Sequence, residues 1–288
     1  MVTMKSGYEK CITAAIVLLA AGYLAYTVHA ISAFPPERRI QFLPDDAFYY
    51  LTLARNFVEH GQWTFDADIS LTNGFHPLHA YALVALYALT HAPADRFVEL
   101  GMALSSLLAL PVALAGMLLV VRTARLVPAR VFLLFALAGN NALNAVSVVE
   151  WGWVVLLAAS YVFAFRHLRG PRRTAALAGV LLCGFLGSLA RTDFGLLTAG
   201  LALATLPAAR TPDGRTMAVG AFLGLAAASL GVAAGLWHNH LVAGQYLQSS
   251  ASMKILWLGT YGPAMRPILD QALYLFGNDH KMLKILVS

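Results

Sequence analysis

Residues 11–33 read CITAAIVLLAAGYLAYTVHAISA, an apolar stretch without Asp, Glu, Lys or Arg. A helix that crosses a lipid bilayer needs about 20 predominantly apolar residues, and this segment has that length. It lacks the clean small-x-small site at which a secretory signal peptide is cleaved. We therefore expect an uncleaved anchor helix.

The composition of the whole chain also indicates a membrane protein. Of the 288 residues, 59% are hydrophobic and 12% are charged, whereas soluble domains are about 25% charged. Cys11 and Cys183 both lie in apolar stretches, which argues against a disulfide framework or a metal–thiolate site. The net charge of +6 comes from short basic clusters between apolar spans, so no nucleic-acid partner is expected.

Apolar segments recur along the chain and predict an all-α fold. We expect a polytopic integral membrane protein with a single transmembrane domain over residues 1–288. The candidate spans are 11–33, 76–91, 97–121, 131–149, 151–166, 174–190, 194–209 and 216–237, with a shorter apolar stretch at 267–276.

The basic clusters predict the orientation, because cytoplasmic loops are enriched in Lys and Arg. Placing these clusters in the cytoplasm puts the N-terminus there as well. The loops at 34–75 and 238–266, and the turns at Glu150 and Arg191, then all fall on the extracytoplasmic face. The clusters comprise Lys5, Lys10, Arg122, Arg125, Arg130, Arg166, Arg169, Arg172, Arg173, Arg210 and Arg215.

This orientation leaves segment 76–91 unable to cross the membrane fully. Segment 11–33 takes the chain out, and segment 97–121 must bring it back to the arginines at 122–130. A re-entrant or tilted half-helix at 76–91 would give the required number of membrane crossings. An error in the prediction of a neighbouring span would also explain the discrepancy.

The long polar connection, 34–75, is predicted to contain a helix lying on the membrane. Residues 46–60 place apolar side chains on one helical face, and Gly61 follows as a stop signal. The apolar face consists of Ala47, Tyr50, Leu51, Ala54 and Val58.

Asp45 and Asp46 stand at the start of this helix, just outside a membrane span. One Asp is explained as an N-cap, a position that Asp favours. Two adjacent carboxylates near a region of low dielectric constant repel each other. A helix cap needs only one of them, so the second indicates a functional role. The functional interpretation is a general base, with Asp46 a candidate ligand for a divalent cation, Mg²⁺ or Mn²⁺.

The segment Thr72-Asn73-Gly74-Phe75-His76-Pro77-Leu78 combines a turn signal with a helix start. Asn-Gly favours a turn, and Pro favours the first position of a helix. An ordinary turn explains the pattern. His76 at a helix N-terminus is alternatively a donor to a phosphate.

Isolated charges between apolar runs are the next candidates. Glu150 is either a functional carboxylate or the partner of a nearby arginine. Arg191 and Asp193 form either a local ion pair or part of the same polar cavity as Asp46, where Arg suits phosphate geometry. Lys254 is either a phosphate contact or a lysine that reaches toward lipid headgroups.

His238 and His240 are poor metal-site candidates. Histidines two positions apart point to different faces of a helix, and no further ligands accompany them.

Together these motifs resemble one family of bacterial glycosyltransferases of the GT-C superfamily, of mannosyl- and arabinosyltransferase type. That family has patterns close to Asp-Asp-Ala-Tyr-Tyr-Tyr-Leu, Ala-Arg-Asn and Thr-Asn-Gly-Tyr-His-Pro-Leu in its first extracytoplasmic loop. Phe48 and Phe75 are conservative exchanges. The matching residues are Asp45, Asp46, Ala47, Tyr49, Tyr50, Leu51, Ala54, Arg55, Asn56, Thr72, Asn73, Gly74, His76, Pro77 and Leu78.

Later elements of the family are matched less closely. A Gly-Met-Glu-Thr element is represented here by Glu150, with Val149 and Trp151 at its Met and Thr positions. Gln248 replaces a proline, and about one further helix fits after the last motif. The remaining matches are Ala190, Arg191 and Asp193, then Asn239, Gly244, Leu247, Ser250 and Lys254.

The resemblance implies inverting transfer of a sugar from a polyprenyl-phosphate donor at the extracytoplasmic face of the bacterial inner membrane. Asp45 or Asp46 is then the base, and membrane lipids and the lipid-linked donor are the partners. A catalytically silent subunit of a larger membrane complex is the alternative, and a transporter of lipid-linked substrates is a further rival. The implied substrate-binding residues are Tyr49, Asn73, His76, Glu150, Arg191, Asp193, Ser250 and Lys254.

Overall fold

The computed structural model describes residues 2–66, 70–123, 142 and 144–249. Within these residues the chain is helical apart from its connections, and the one β-bridge joins Thr64 to Leu71. The predicted all-α fold is therefore confirmed. Short 3₁₀ turns at Ile40–Phe42, His167–Arg169 and Leu206–Arg210 extend or link the helices.

The described helices, numbered in chain order, are long where the sequence is apolar and short in the polar connection. They are α1 (Val2–Ala33), α2 (Pro36–Arg39), α3 (Asp45–His60), α4 (Pro77–Thr90), α5 (Ala94–Thr123), α6 (Trp151–Arg166), α7 (Arg173–Ala190), α8 (Phe194–Thr205) and α9 (Pro212–Ala243).

Five helices of the described part are long and apolar enough to cross a membrane. The protein is therefore a multi-pass membrane protein, as predicted. Most of the predicted span at 131–149, and all of the stretch at 267–276, lie outside the described residues. The five helices contain Cys11–Ala33, Ala94–Met117, Trp151–Arg169, Arg173–Ala190 and Pro212–Ala243.

The predicted span at 194–209 is shorter than expected as an α-helix. Helix α8 ends at Thr205, and the chain continues as a 3₁₀ turn that contains Pro207. Proline lacks the N–H that would continue the helical ladder, which explains the end.

The helix predicted in the polar connection is confirmed with nearly the predicted bounds. Ala47, Tyr50, Leu51 and Ala54 of α3 are buried, so the predicted apolar face packs inward. Gly61 ends the helix with φ 74°, in the left-handed region that favours glycine.

Helix α4 runs alongside α3 in the same direction. Near their starts, the rings of Tyr50 and His79 lie 4.7 Å apart. Near their ends, the Tyr87 hydroxyl donates a hydrogen bond of 2.6 Å to Glu59, which lowers the pKa of that carboxyl. With 14 residues, α4 is about 21 Å long, shorter than the roughly 30 Å hydrocarbon core. This length suits a half-helix, and the path of segment 76–91 through the membrane stays a prediction.

Helices α7 and α9 pack closely through small residues. A Cβ added to Gly184 would lie 2.8 Å from the carbonyl oxygen of Gly224, and one added to Gly231 would overlap the carbonyl of Phe185. Small side chains allow such backbone approach between membrane helices. The buried face of α9 consists of Gly214, Ala218, Gly220, Ala221, Gly224, Ala227, Ala228, Gly231, Gly235 and Asn239.

We predict that Gly231→Ala destabilises the protein although alanine favours helices. The added methyl has no room against the Phe185 carbonyl, and overpacking costs about 1–3 kcal/mol. The measurement is the apparent Tm in detergent, followed by size-exclusion chromatography.

Gly200→Ala is the matched control, because Gly200 lies within α8 and a Cβ there meets nothing within 4 Å. This variant should be neutral or gain up to about 1 kcal/mol from helix propensity. Equal effects of the two substitutions would contradict the close α7–α9 packing.

Candidate functional site

A polar cluster forms where α3, α4, α6 and α8 begin and α7 ends. It joins side chains from α3, from the start of α4, from the residue before α6, and from the link between α7 and α8. We call it the Glu150 cluster; its members are Tyr50, His76, Glu150, Arg191 and Asp193.

Glu150 lies at the centre of the cluster and is only 7% exposed. Its Oε2 accepts a hydrogen bond of 3.2 Å from the Tyr50 hydroxyl, and its Oε1 accepts one of 3.1 Å from Arg191. A buried carboxylate is costly without such partners. The sequence left Glu150 as either a functional carboxylate or the partner of an arginine. The structure is compatible with both interpretations, because Glu150 bonds to Arg191 and also lies in a polar cluster.

Arg191 leaves the end of α7 in an extended conformation and contacts two carboxylates. Its Nε and one terminal nitrogen donate to Asp193 at 3.0–3.2 Å, and its other terminal nitrogen donates to Glu150. The guanidinium carbon lies 4.7 Å from the centre of the Trp151 ring. Hydrogen bonding to Asp193 raises the pKa of Arg191, so the cation is permanent.

The backbone before Glu150 is strained. Val148 has φ 51°, a conformation that is unfavourable for a β-branched residue. Its carbonyl oxygen lies 3.2 Å from Nε2 of His79, and its side chain is fully buried. These contacts hold the turn that brings Glu150 to the cluster.

Tyr50 links three elements through its hydroxyl. The backbone N–H of His76 donates to this hydroxyl at 3.2 Å, and the hydroxyl donates to Glu150. Burial, followed by the nearby Glu150 charge, raises the pKa of Tyr50 well above its ordinary value. Tyr50 therefore acts as a neutral donor. The sequence places Tyr50 in the apolar face of α3 and in the family pattern but does not predict that it bonds to Glu150; its position one turn after Asp46 is the signal that the sequence offers.

His76 occupies the N-cap position of α4, as its place before Pro77 suggested. Its Nε2 lies 3.7 Å from Glu150, and its Nδ1 lies 3.5 Å from the side-chain nitrogen of Gln248. Burial lowers the pKa of His76, outweighing the opposing effect of Glu150. The ring is therefore neutral at neutral pH.

Asp45 and Asp46 form the first turn of α3 and are exposed. Pro44 holds the N-cap position, and no side chain caps it, so the N-cap explanation does not account for either aspartate. Both carboxylates are favoured at a helix N-terminus by the helix dipole. Asp46 also acts electrostatically on Tyr50 and His76, so its charge lies near the Glu150 cluster.

Asn73 clamps a distant segment onto the first loop. Its amide nitrogen donates to the carbonyls of Gln245 and Leu247, both at 3.0 Å, and its oxygen accepts from the backbone and hydroxyl of Ser249. Asn73 is fully buried. The clamp brings Gln248 beside His76, where Gln248 also donates to the Phe75 carbonyl at 2.9 Å.

Tyr49 supports the turn that contains Asn73. Its hydroxyl lies 3.2 Å from the Thr72 hydroxyl, and its ring packs against Phe65. A Cβ on Gly74 would lie 2.8 Å from the Tyr49 hydroxyl. The absence of a side chain at Gly74 thus permits this contact.

The structure brings most of the predicted site residues to one end of the bundle. His76, Glu150, Arg191 and Asp193 are in contact or linked by Arg191, whereas Tyr49 and Asn73 hold the neighbouring loop. Ser250 and Lys254 lie outside the described residues.

His238 and His240, the poor metal-site candidates of the sequence, both contact aromatic side chains. His238 lies 3.1 Å from the Tyr81 hydroxyl, and His240 stacks on Tyr246. Among the described residues, no group of three or more His, Cys, Asp and Glu side chains is arranged to hold a metal.

Among the described residues in the Glu150 cluster and in the first turn of α3, carboxylates outnumber cations. Asp45, Asp46, Glu150 and Asp193 carry four carboxylates, and Arg191 is the cation in contact with two of them. A negatively charged ligand at this end would therefore need further positive charge.

Comparison with protein families, curated proteins and solved structures finds no match to this chain.

The buried His76 predicts a loss of stability in acid. Its pKa is lowered in the folded protein, so between pH 6.5, its ordinary pKa, and the lower folded value the unfolded chain binds more protons. Stability should fall as the pH drops below about 6.5. We expect His76→Asn to weaken this dependence in melting curves between pH 7.5 and 5.

His91→Asn serves as the control. His91 is exposed, and its backbone has φ 42°, a region that asparagine tolerates. This variant should keep the wild-type slope of Tm against pH. The same slope in the His76 variant would contradict the assignment.

Proposed function

We propose that the protein is a membrane glycosyltransferase that moves a sugar from a polyprenyl-phosphate donor to a glycan, lipid or protein acceptor. The observation that carries this proposal is the convergence of motifs. His76, Glu150 and Arg191, which the sequence resemblance links to Asp46, come from separate parts of the chain and lie together, and Asp46 begins the helix that carries Tyr50. Their meeting at one end of a membrane-helix bundle is what a shared substrate site requires.

The backbone at Val148 supports the resemblance independently. The family element Gly-Met-Glu-Thr has glycine two residues before its glutamate. Val148 holds that position relative to Glu150 and has the positive φ that favours glycine. The chain thus has a glycine-like backbone conformation at Val148 without a glycine. This conformation supports the match between Glu150 and the glutamate of the family element.

The donor phosphate has a candidate contact in Arg191. Three of its five N–H groups are used by Glu150 and Asp193. Among the described contacts, each terminal nitrogen keeps one N–H for a ligand. An arginine already oriented by carboxylates and by the Trp151 ring loses little entropy when it binds phosphate.

A divalent cation fits the donor set at the start of α3. Asp45 and Asp46 are exposed oxygen ligands without a hydrogen-bonded partner in the described part of the chain. Mg²⁺ and Mn²⁺ are commonly held by one or two carboxylates together with substrate phosphate. Such an ion would supply the positive charge that the excess of carboxylates calls for.

Asp45 or Asp46 is the proposed general base. A carboxylate at this position removes the proton of the acceptor hydroxyl as that hydroxyl attacks the sugar carbon, and the lipid phosphate departs from the opposite side. The configuration at that carbon is therefore inverted. General-base catalysis of this kind contributes about 10²- to 10⁴-fold.

The membrane location agrees with a lipid-linked donor. Such a donor diffuses in the bilayer and presents its sugar at the surface, where the polar ends of the helices meet. We place this end on the extracytoplasmic face of the bacterial inner membrane, because the basic clusters mark the other face.

A non-catalytic subunit of a membrane complex is the second candidate. One observation favours it: Arg191 and Asn73, both expected to bind substrate, are heavily engaged in contacts within the fold. A subunit that retains this fold only for assembly would keep these contacts and catalyse no reaction.

We predict that Asp46→Asn and Asp45→Asn each lower transfer of radiolabelled sugar from polyprenyl-phosphate donors in isolated membranes. Loss of the base should reduce the rate about 10²- to 10⁴-fold, and loss of its neighbour less. Exposure of both side chains means that folding should be unaffected.

Asp95→Asn is the matched control, because Asp95 is an exposed carboxylate in the first turn of α5. It should keep wild-type transfer. If wild type transfers no sugar from any donor but co-purifies in fixed ratio with another membrane protein, the subunit interpretation replaces the enzyme.

A further inference from the structure

A groove of about 690 Å³ lies between α5 and α6, with Leu197 of α8 on its wall. It extends over residues 155–166 of α6 and over residues 111–116 of α5. Among the described residues that line it, Ser160 and Arg166 are the only ones with polar side chains. Its volume lies within the range of about 300–1,000 Å³ that ligand sites occupy. The groove is therefore apolar along its length and has a cation at one end.

The length of the groove matches one leaflet of a bilayer. From Val155 to Arg166 the axis of α6 rises by about 16 Å, and half of the hydrocarbon core measures about 15 Å. Phe163 on the groove wall is 67% exposed, so the groove opens to the surroundings of the bundle. An acyl chain whose headgroup lies at Arg166 would therefore fit along α6.

The arginine end of the groove lacks counter-charge in the described structure. Arg166 is followed by Arg169, Arg172 and Arg173 in the turn from α6 to α7. None of these arginines forms an ion pair with a described carboxylate. Arg172 and Arg173 also stand at the N-terminus of α7, where the helix dipole is positive and neither an acidic side chain nor a side-chain cap is present. An anion is the group that this end lacks.

The described neighbours of α5 do not cover the groove. Ala113 and Met117 of α5 are absent from its walls and pack instead with Ala20, Leu24 and Ala142. Helix α1 and Ala142 therefore contact a different face of α5, and the groove face stays accessible from the membrane.

The groove is also distinct from the proposed donor site. Glu150 precedes the first residue of α6, whereas Arg166 is its last residue, and the helix between them is about 24 Å long. A phosphate at Arg166 therefore cannot lie at Arg191, which contacts Glu150. The anion at Arg166 belongs to a lipid other than the sugar donor.

We propose that this groove binds one anionic phospholipid, with an acyl chain along the apolar walls and its phosphate at Arg166. The arginines in the turn after α6 favour a headgroup with net negative charge, because basic residues near the membrane surface attract anionic lipids. A zwitterionic headgroup has the same phosphate but adds an ammonium group that these arginines repel. Selectivity for the anionic lipid thus separates a site from ordinary lipid contact.

The test measures which lipids stay bound to the purified full chain. Nanodiscs are prepared with equal amounts of phosphatidylglycerol and phosphatidylcholine, and the released protein is analysed by native mass spectrometry. One phosphatidylglycerol should be retained at collision energies that remove phosphatidylcholine. Equal retention of the two lipids would overturn the proposal by showing unselective contact. Retention of neither would also overturn it, with protein covering the groove.

Arg166→Gln should lower the retention of phosphatidylglycerol about fivefold or more, the effect of one arginine at the membrane surface. Arg215→Gln is the matched control, because Arg215 is an exposed arginine in the first turn of α9 and does not line the groove. It should keep the wild-type selectivity. Equal losses in the two variants would contradict a localised site.

Ala159→Phe provides a second test by filling the groove. Ala159 lines the groove and is exposed, so the protein should stay folded and monodisperse while the retained phosphatidylglycerol is lost. Ala25→Phe places the same bulk on the exposed side of α1 and should retain the lipid. Undiminished retention in a folded Ala159→Phe variant would refute the assignment, and none of these measurements requires sugar transfer.

Discussion

A carboxylate buried at the end of a helix bundle must be matched by hydrogen-bond donors and positive charge, because water is largely excluded. Glu150 imposes this requirement here. Tyr50 and Arg191 meet it from different helices, and the Arg191 cation is shared with Asp193. Four parts of the chain therefore have to reach one point, and this condition fixes how the polar connection sits against the membrane helices.

The membrane helices meet that condition through close packing. Gly184 and Gly231 let α7 and α9 approach until backbone touches backbone, which sets the end of α7 where Arg191 turns out of the helix. On the other side of the Arg191–Glu150 contact, the strained φ at Val148 turns the chain so that Glu150 reaches the cluster. Packing energy in the bundle thus supports an unfavourable local backbone at the site, as is common where function depends on geometry.

The sequence predicted those features that depend on local physics. Hydropathy gave the long helices, and periodicity with Gly61 gave α3 almost to the residue. The placement of Tyr50 could not be predicted in the same way, because an apolar helical face does not reveal which hydroxyl meets a carboxylate 100 positions later. In the sequence, Gln248 is notable only because it replaces a proline of the family pattern. Its contact with His76 could not be predicted, because it depends on the clamp made by Asn73.

The Asn73 clamp also orders the assembly of the protein in time. It joins residues 176 positions apart, so at translation rates of about 5–20 residues per second its two halves are separated by roughly 10–35 s. During this interval the amide of Asn73 must bond to water or to another protein. The first loop therefore acquires these native contacts only after residue 249 has been synthesised.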